Sequence, residues 1–224
     1  LAWLGPGSPR SDKVLSPLEA SKFLNSPLVV EEKVDGTNVG ISLASPSEGE
    51  LIIRNRGTRV GPGAHPQFRP LWPWLDQRRH ALAGALGEHL TLFGEWCFAV
   101  HSIRYDLLPD FFLVIDVLDQ RKMAFWDTTR RNKLADELSL SVVPELARGR
   151  FTLAHLREMV ESGSSRLGNG PLEGVYLRRE QDGWLQARTK LVSAAFVHAI
   201  SEHWMHRPLE RNTLAKPMSS TTPI

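Results

Sequence analysis

Cysteine is nearly absent from this chain: Cys97 stands alone in 224 residues. A single thiol excludes an intramolecular disulfide framework and a cysteine-based zinc site, and a reducing cytoplasm is the simplest compartment. Long apolar runs are missing too. No stretch approaches the ~18 residues of a membrane span, so no membrane partner is expected. The start, Leu1-Ala2-Trp3-Leu4-Gly5-Pro6, has no charge and too short an apolar run for a signal peptide. It also lacks methionine, which leaves open that the native chain extends beyond Leu1. Strong charge of either sign is absent. The formal net charge of +2 allows a nucleic-acid partner without demanding one. Lysine is scarce, with seven among the 27 Lys+Arg. Arginine stays protonated and cannot act as a nucleophile, so a lysine in a special setting carries information.

What remains is an ordinary globular composition, 42% hydrophobic and 23% charged, long enough for one large domain. Residues 1–15 read as an irregular lead-in. Ser16-Pro17-Leu18-Glu19 reads as a helix start with Ser16 as N-cap, Pro17 at the first position and Glu19 closing a capping box. Strands are expected over 28–34, 39–44, 50–54, 91–97, 111–117, 173–179 and 184–191. Asn55–Pro70 reads as a loop rich in Gly, Pro and Arg. Helices are expected over 71–86 (ended by Gly87), 127–138, 152–161 and 194–205, and residues 213–224 read as a frayed tail. No internal repeat or low-complexity linker divides the chain.

Five separated segments end predicted strands with polar residues: Lys33-Val34-Asp35-Gly36, Arg54-Asn55-Arg56-Gly57, Phe93-Gly94-Glu95-Trp96, Glu173-Gly174 leading into Val175–Arg178, and Arg188-Thr189-Lys190. Together they describe a site for a nucleoside triphosphate. A strand-end lysine that loses its proton can attack an α-phosphate, cations can hold phosphate oxygens, and a carboxylate can hold a hard cation such as Mg²⁺ or Mn²⁺.

The order and spacing resemble the covalent nucleotidyltransferase superfamily of ATP-dependent DNA ligases, RNA ligases and mRNA capping enzymes. The resemblance runs from about residue 28 to residue 192. Within the superfamily, Gly36-Thr37-Asn38 and the stretch from Glu95 to Asp110 are most similar to the RNA ligase 2 type. The resemblance implies an α+β fold, with two antiparallel sheets, flanking helices and a central nucleotide cleft. It implies an ATP-dependent RNA ligase that passes through a lysyl-AMP, uses Mg²⁺ or Mn²⁺, and joins 5′-phosphate to 3′-hydroxyl RNA ends. Lys33 would be the nucleophile and Glu32 would lie against the adenine. Arg54 or Arg56 would contact phosphate, Glu95 the ribose, and Glu173 the metal. Arg188 and Lys190 would neutralise the α-phosphate, and Asn38 would support sealing.

Two positions depart from the family pattern. Arg188-Thr189-Lys190 stands where Lys-x-Lys is usual, with charge retained. Ile115 stands where an aromatic often stacks on adenine, and Phe112 is an alternative for that contact. Only 34 residues follow Lys190, too few for an OB-fold of ~60–70 residues. The expected organisation is a nucleotidyltransferase domain over 1–212 with a short helical tail and a disordered 213–224. End binding would then draw on that tail, an accessory protein or a missing segment. A minimal DNA ligase, a GTP-using capping enzyme and a non-catalytic RNA-end binding protein are the rival readings.

Other residues have plainer readings. His101 fits a hydrogen-bonded structural role, and His198, His203 and His206 lack helical metal-site spacing. Cys97 fits a buried strand position. Trp72, Trp74, Trp126 and Trp204 fit a core. Arg130-Arg131 and Arg178-Arg179 fit either nucleic-acid contacts or solvated faces.

Overall fold

The computed structural model describes residues 2–4, 14–45, 49–194, 196 and 208–216. The chain opens with a short strand β1 (Ala2–Trp3) and helix α1 (Pro17–Leu24). Ser16 caps that helix through the expected reciprocal box: its hydroxyl accepts from Glu19 N–H, and the Glu19 carboxylate accepts from Ser16 N–H. Strands β2 (Leu28–Glu32), β3 (Thr37–Ser45), β4 (Glu50–Asn55) and β5 (Thr58–Arg59) follow. The expected loop over 55–70 thus opens with the tight β4–β5 turn, where Arg56 has φ 46° and Gly57 φ 89°. Helix α2 (Leu71–Leu86) ends where Gly87 takes φ 51°. Next come β6 (Leu90–Trp96), β7 (Phe112–Asp119), β8 (Ala124–Phe125), α3 (Thr128–Glu137), β9 (Ser141–Val142), β10 (Glu145–Gly149), α4 (Leu153–Ser162), β11 (Gly174–Gln181) and β12 (Trp184–Val192). Asp127 and Thr152 cap α3 and α4 by accepting from Arg130 N–H at 2.9 Å and His155 N–H at 3.2 Å.

The strands form two sheets, ordered β1-β12-β11-β2-β10 and β5-β4-β3-β6-β7-β8, with β9 added on β7. Both are antiparallel except for one short parallel pairing in each, β1 on β12 and β9 on β7. Strand alternation decides what each face carries. In the first sheet Leu28, Val30, Val175, Leu177 and Leu191 pack on Leu156 and Val160 of α4 and on Phe23 of α1. In the second, Val39, Ile41, Ile53, Leu92 and Val114 pack on Leu71, Trp74, Leu75 and Leu82 of α2. Each sheet therefore buries one face under helices. The other two faces meet, and Arg178 and Arg188 of the first sheet reach Asp116 of the second.

The C-terminal part differs from expectation. Of the helix expected over 194–205, only residues 194 and 196 are described; 195, 197–205 and 217–224 lie outside the described residues, as do His198, His203, Trp204 and His206. Residues 213–216, expected within a frayed tail, instead pair with the 105–108 loop: Thr213 N–H donates to Tyr105 O at 2.9 Å and Ala215 N–H to Leu108 O at 2.8 Å.

Candidate active site

Lys33 follows the last residue of β2, and its backbone N–H donates to Gly174 O at 3.0 Å. That bond puts the start of β11 beside the lysine. Gly174 must be glycine for β11 to start so close to β12, because a Cβ there would sit 2.2 Å from Leu191 O. Gly36 serves the same purpose on the other side. A Cβ at Gly36 would lie 2.9 Å from Glu95 Cγ. The two glycines let β11 lie tightly on β12 and the turn after Lys33 lie tightly on the end of β6.

The Lys33 ammonium forms an ion pair with Glu173 Oε1, and its Nζ lies 5.9 Å from the Tyr176 ring centre. Burial works against the charged amine, but Glu173, Tyr176 and Glu95 outweigh it and hold the Lys33 pKa above its ordinary value. The lysine is thus kept protonated. The charges nearest the amine are acids, which favour its protonated form. Burial, opposed by Lys33, raises the Glu173 carboxyl to about 7. Its second oxygen, Oε2, is buried with no hydrogen-bond partner.

Glu95 stands opposite Asn38 in the β3–β6 register, so both side chains share the face turned toward the first sheet. Burial pushes the Glu95 carboxyl up to about 8; Lys33 and Arg56 oppose this, while Glu173 and Asp35 add to it. Lys190 pairs across β11 with Tyr176 and across β1 with Trp3, and its Nζ lies 5.2 Å from the Trp3 ring centre. Arg188 forms an ion pair with Asp116 and lies 4.3 Å over the Phe125 ring. Lys33, Asn38, Glu95, Glu173, Arg188 and Lys190 are therefore brought to the inter-sheet space.

The remaining candidates are placed differently. Glu32 sits on the opposite face of β2, where its carboxylate accepts from Ser165 Oγ at 2.5 Å and Arg166 N–H at 2.9 Å. Arg54 pairs with Gly40 and so shares the face of Asn38, but it is exposed near the sheet edge and donates to Ser42 Oγ at 3.4 Å. Arg56 is exposed at the β4–β5 turn, and its charge is felt at Glu95. Ile115 is the unpaired residue at a shift in the β6–β7 register. It is buried beside Val34, Cys97, Tyr105 and Leu113. Phe112 cannot replace an aromatic in the cleft, because it is fully buried and packs on Trp74 at 4.9 Å.

Several supporting residues were not foreseen. Tyr176 shares a face with Arg178 by strand alternation, and alternation could have found it. Burial raises its phenol to about 12. Behind the site, Glu31 lies 2.6 Å from Arg131 and 3.6 Å from Arg178. These are ion pairs without hydrogen-bond alignment, since neither Glu31 oxygen has a hydrogen-bond partner. Arg178 is also bonded to Asp116 at 2.6 Å and Glu180 at 2.7 Å. Arg131 and Arg178 are thus buried structural cations, whereas Arg130 is stacked between Trp126 and Trp184 at 4.3 and 4.4 Å. His101 bonds Thr37 and Gln67, each at 3.3 Å, which fits the structural reading.

Among the described residues, no group of three His, Cys, Asp or Glu side chains comes together to cage a metal. A hard cation that arrives with a nucleotide needs only one or two carboxylates besides the phosphates. The unpartnered Glu173 Oε2 fits that mode.

The RNA ligase family profile matches residues 26–192. Among solved structures, Naegleria gruberi RNA ligase with PPi is 21% identical with a TM-score of 0.61, covering 78% of this chain and 52% of that one. A mutant of the same protein with ATP and Mn is 17% identical with a TM-score of 0.60, covering 80% and 52%. Another mutant, with AMP and Mn, is 17% identical with a TM-score of 0.59, covering 80% and 53%. The chain therefore spans about half the length of these ligases and shares their fold. No curated protein sequence matches it.

Proposed function

This chain belongs to the RNA ligase family, and on that premise we propose that it is an ATP-dependent RNA ligase that carries AMP on Lys33. The observation that carries the reading is the Lys33–Glu173 ion pair at the inter-sheet face, with Glu95 and Lys190 gathered around it. Few structural roles call for a scarce lysine buried among carboxylates that themselves bear raised pKa values.

In the first step the Lys33 proton must leave, and the Glu173 carboxylate is the base in contact with it. The freed amine attacks the α-phosphorus, a P–N bond forms, the α–β bridging P–O bond breaks, and pyrophosphate departs. Lys190 and Arg188 stand where they can face the α-phosphate charge, and Glu95 can accept from ribose hydroxyls. In the second step an oxygen of an RNA 5′-phosphate attacks the same phosphorus and releases Lys33. In the third, a 3′-hydroxyl attacks the activated end, AMP leaves, and Asn38 stands at the cleft to align that end. The Naegleria gruberi ligases are solved with ATP or AMP and Mn, and we extend an adenine nucleotide and Mg²⁺ or Mn²⁺ to this chain. Held by Glu173 and the phosphates, the ion would neutralise phosphate charge and compete with the Lys33 ammonium for that carboxylate.

The test is end joining. The protein should seal a nick or break bearing a 5′-phosphate and a 3′-hydroxyl, and should lose activity when the terminal ribose 2′-hydroxyl is removed. Equal sealing of all-DNA ends would replace RNA by DNA as the partner. Pre-adenylylated ends sealed without ATP, beside no sealing of ordinary ends, would leave only the last step. Joining that appears only when cell extract is added would point to an accessory end-binding protein.

A further inference from the structure

The segment 208–216 lies along the loop between β6 and β7. Val100 N–H donates to Glu210 O at 3.0 Å, Asn212 N–H to Phe98 O at 3.0 Å, and Leu108 N–H to Thr213 O at 3.2 Å. Asn212 is 4% exposed and uses both ends of its amide. Its Nδ2 donates to Cys97 O at 2.8 Å and Ala99 O at 3.2 Å, while its Oδ1 accepts from Tyr105 N–H at 2.8 Å. A buried amide satisfied on three sides fixes the chain it holds, since breaking it leaves several polar groups unpaired.

Tyr105 passes that constraint to the active site. It is fully buried, and its hydroxyl accepts from Asp35 N–H at 2.8 Å. Asp35 in turn accepts from Ser102 N–H at 2.6 Å and Ile103 N–H at 3.0 Å through Oδ2. Asp35 lies two residues after Lys33, in the turn before β3. The turn has no ladder of its own at Asp35, and the 101–105 loop holds it from both backbone and side chain.

We propose that residues 208–216 form a strap that fixes the Lys33–Gly36 turn, with Asn212 and Tyr105 as positioning residues for the nucleophile. The idea rests on Lys33 being that nucleophile. An amine that must meet a phosphorus in line is sensitive to small displacements, so holding its turn acts on the rate of attack more than on nucleotide binding.

Tyr105→Phe is the primary test, because it removes only the hydroxyl and keeps the buried ring. Hydrogen exchange at the Asp35 amide should speed up about five- to tenfold, and the rate of lysyl-AMP formation should fall by about the same factor. The KM for ATP should stay within about twofold, because the nucleotide contacts are untouched. Asn212→Ala should act in the same direction, and the double variant should lose less than the two single effects combined, as expected of residues on one path. Unchanged Asp35 exchange in Tyr105→Phe overturns the strap. So does an adenylylation rate that falls only as far as the unfolded fraction rises. If the wild-type chain forms no lysyl-AMP at all, the nucleophile assignment fails, and Asp35 exchange still decides whether the strap holds the turn.

Discussion

Lys33 and Glu173 form one part-buried ion pair that joins the end of β2 to the residue before β11. The backbone supports it, since Lys33 N–H bonds Gly174 O. The pair keeps the amine charged, so its proton has to leave before the amine can attack. Glu173→Gln removes the charge that holds the proton. The Lys33 pKa should fall, seen as faster acylation of Lys33 near neutral pH in the variant. Lysyl-AMP formation should nevertheless drop by roughly 10²-fold, the usual scale for losing one preorganised charged group. Unchanged Lys33 reactivity would show that the pair does not set its protonation.

Glu95 makes the stability of the metal-free protein depend on pH. Its folded pKa is raised from 4.5 to about 8. The stability it contributes is therefore fully present below 4.5 and lost as pH rises through about 8. Thermal unfolding in the presence of a chelator should show the melting temperature declining over that window. Glu95→Gln should flatten the decline and be more stable than wild type at the alkaline end. Parallel curves for the two proteins would contradict the assignment.

The buried charges behind the site should be costly to break singly. Arg131→Met leaves Glu31, which is fully buried, with only the more distant Arg178. Urea unfolding should show a loss of about 3–5 kcal/mol. Adding Glu31→Gln should restore part of it, because the unpaired charge rather than lost packing is the main cost.

Gly174 tests the close approach of β11 to β12. Gly174→Ala places a methyl 2.2 Å from Leu191 O. Overpacking of this kind costs roughly 1–3 kcal/mol, and the neighbouring Glu173 should lose its register with Lys33. The measurements are urea unfolding and lysyl-AMP yield, both expected to fall.

Much of this arrangement was legible in the sequence where local rules suffice. Ser16, Asp127, Thr152 and Gly87 mark helix ends through side-chain and φ requirements that need no tertiary context. Lys33, Glu95, Glu173, Arg188 and Lys190 could be read as strand-end polar residues in a telling order. What stayed hidden depends on partners distant in sequence. Strand β10 is an edge strand whose Glu-Leu-Ala-Arg-Gly carries little β signal and forms only against β2. Arg131 and Arg178 look solvated until Glu31 of β2 and Asp116 of β7 close around them. Glu32 and Phe112 differ from expectation because side-chain direction is set by register, and register is not visible in composition. The Asn212 contact joins residues more than a hundred positions apart, beyond any local pattern.

The most direct test of the account is the chemistry of Lys33 itself. The protein is incubated with α-labelled ATP and Mg²⁺ or Mn²⁺, digested, and its lysines are mapped by mass spectrometry. One AMP per chain is expected on the peptide containing Lys33, held by a bond that alkali leaves intact and acid cleaves, as a P–N linkage requires, released by pyrophosphate and absent in Lys33→Ala. An unlabelled protein with either metal, or AMP found on Lys190 with Lys33 unmodified, would contradict it.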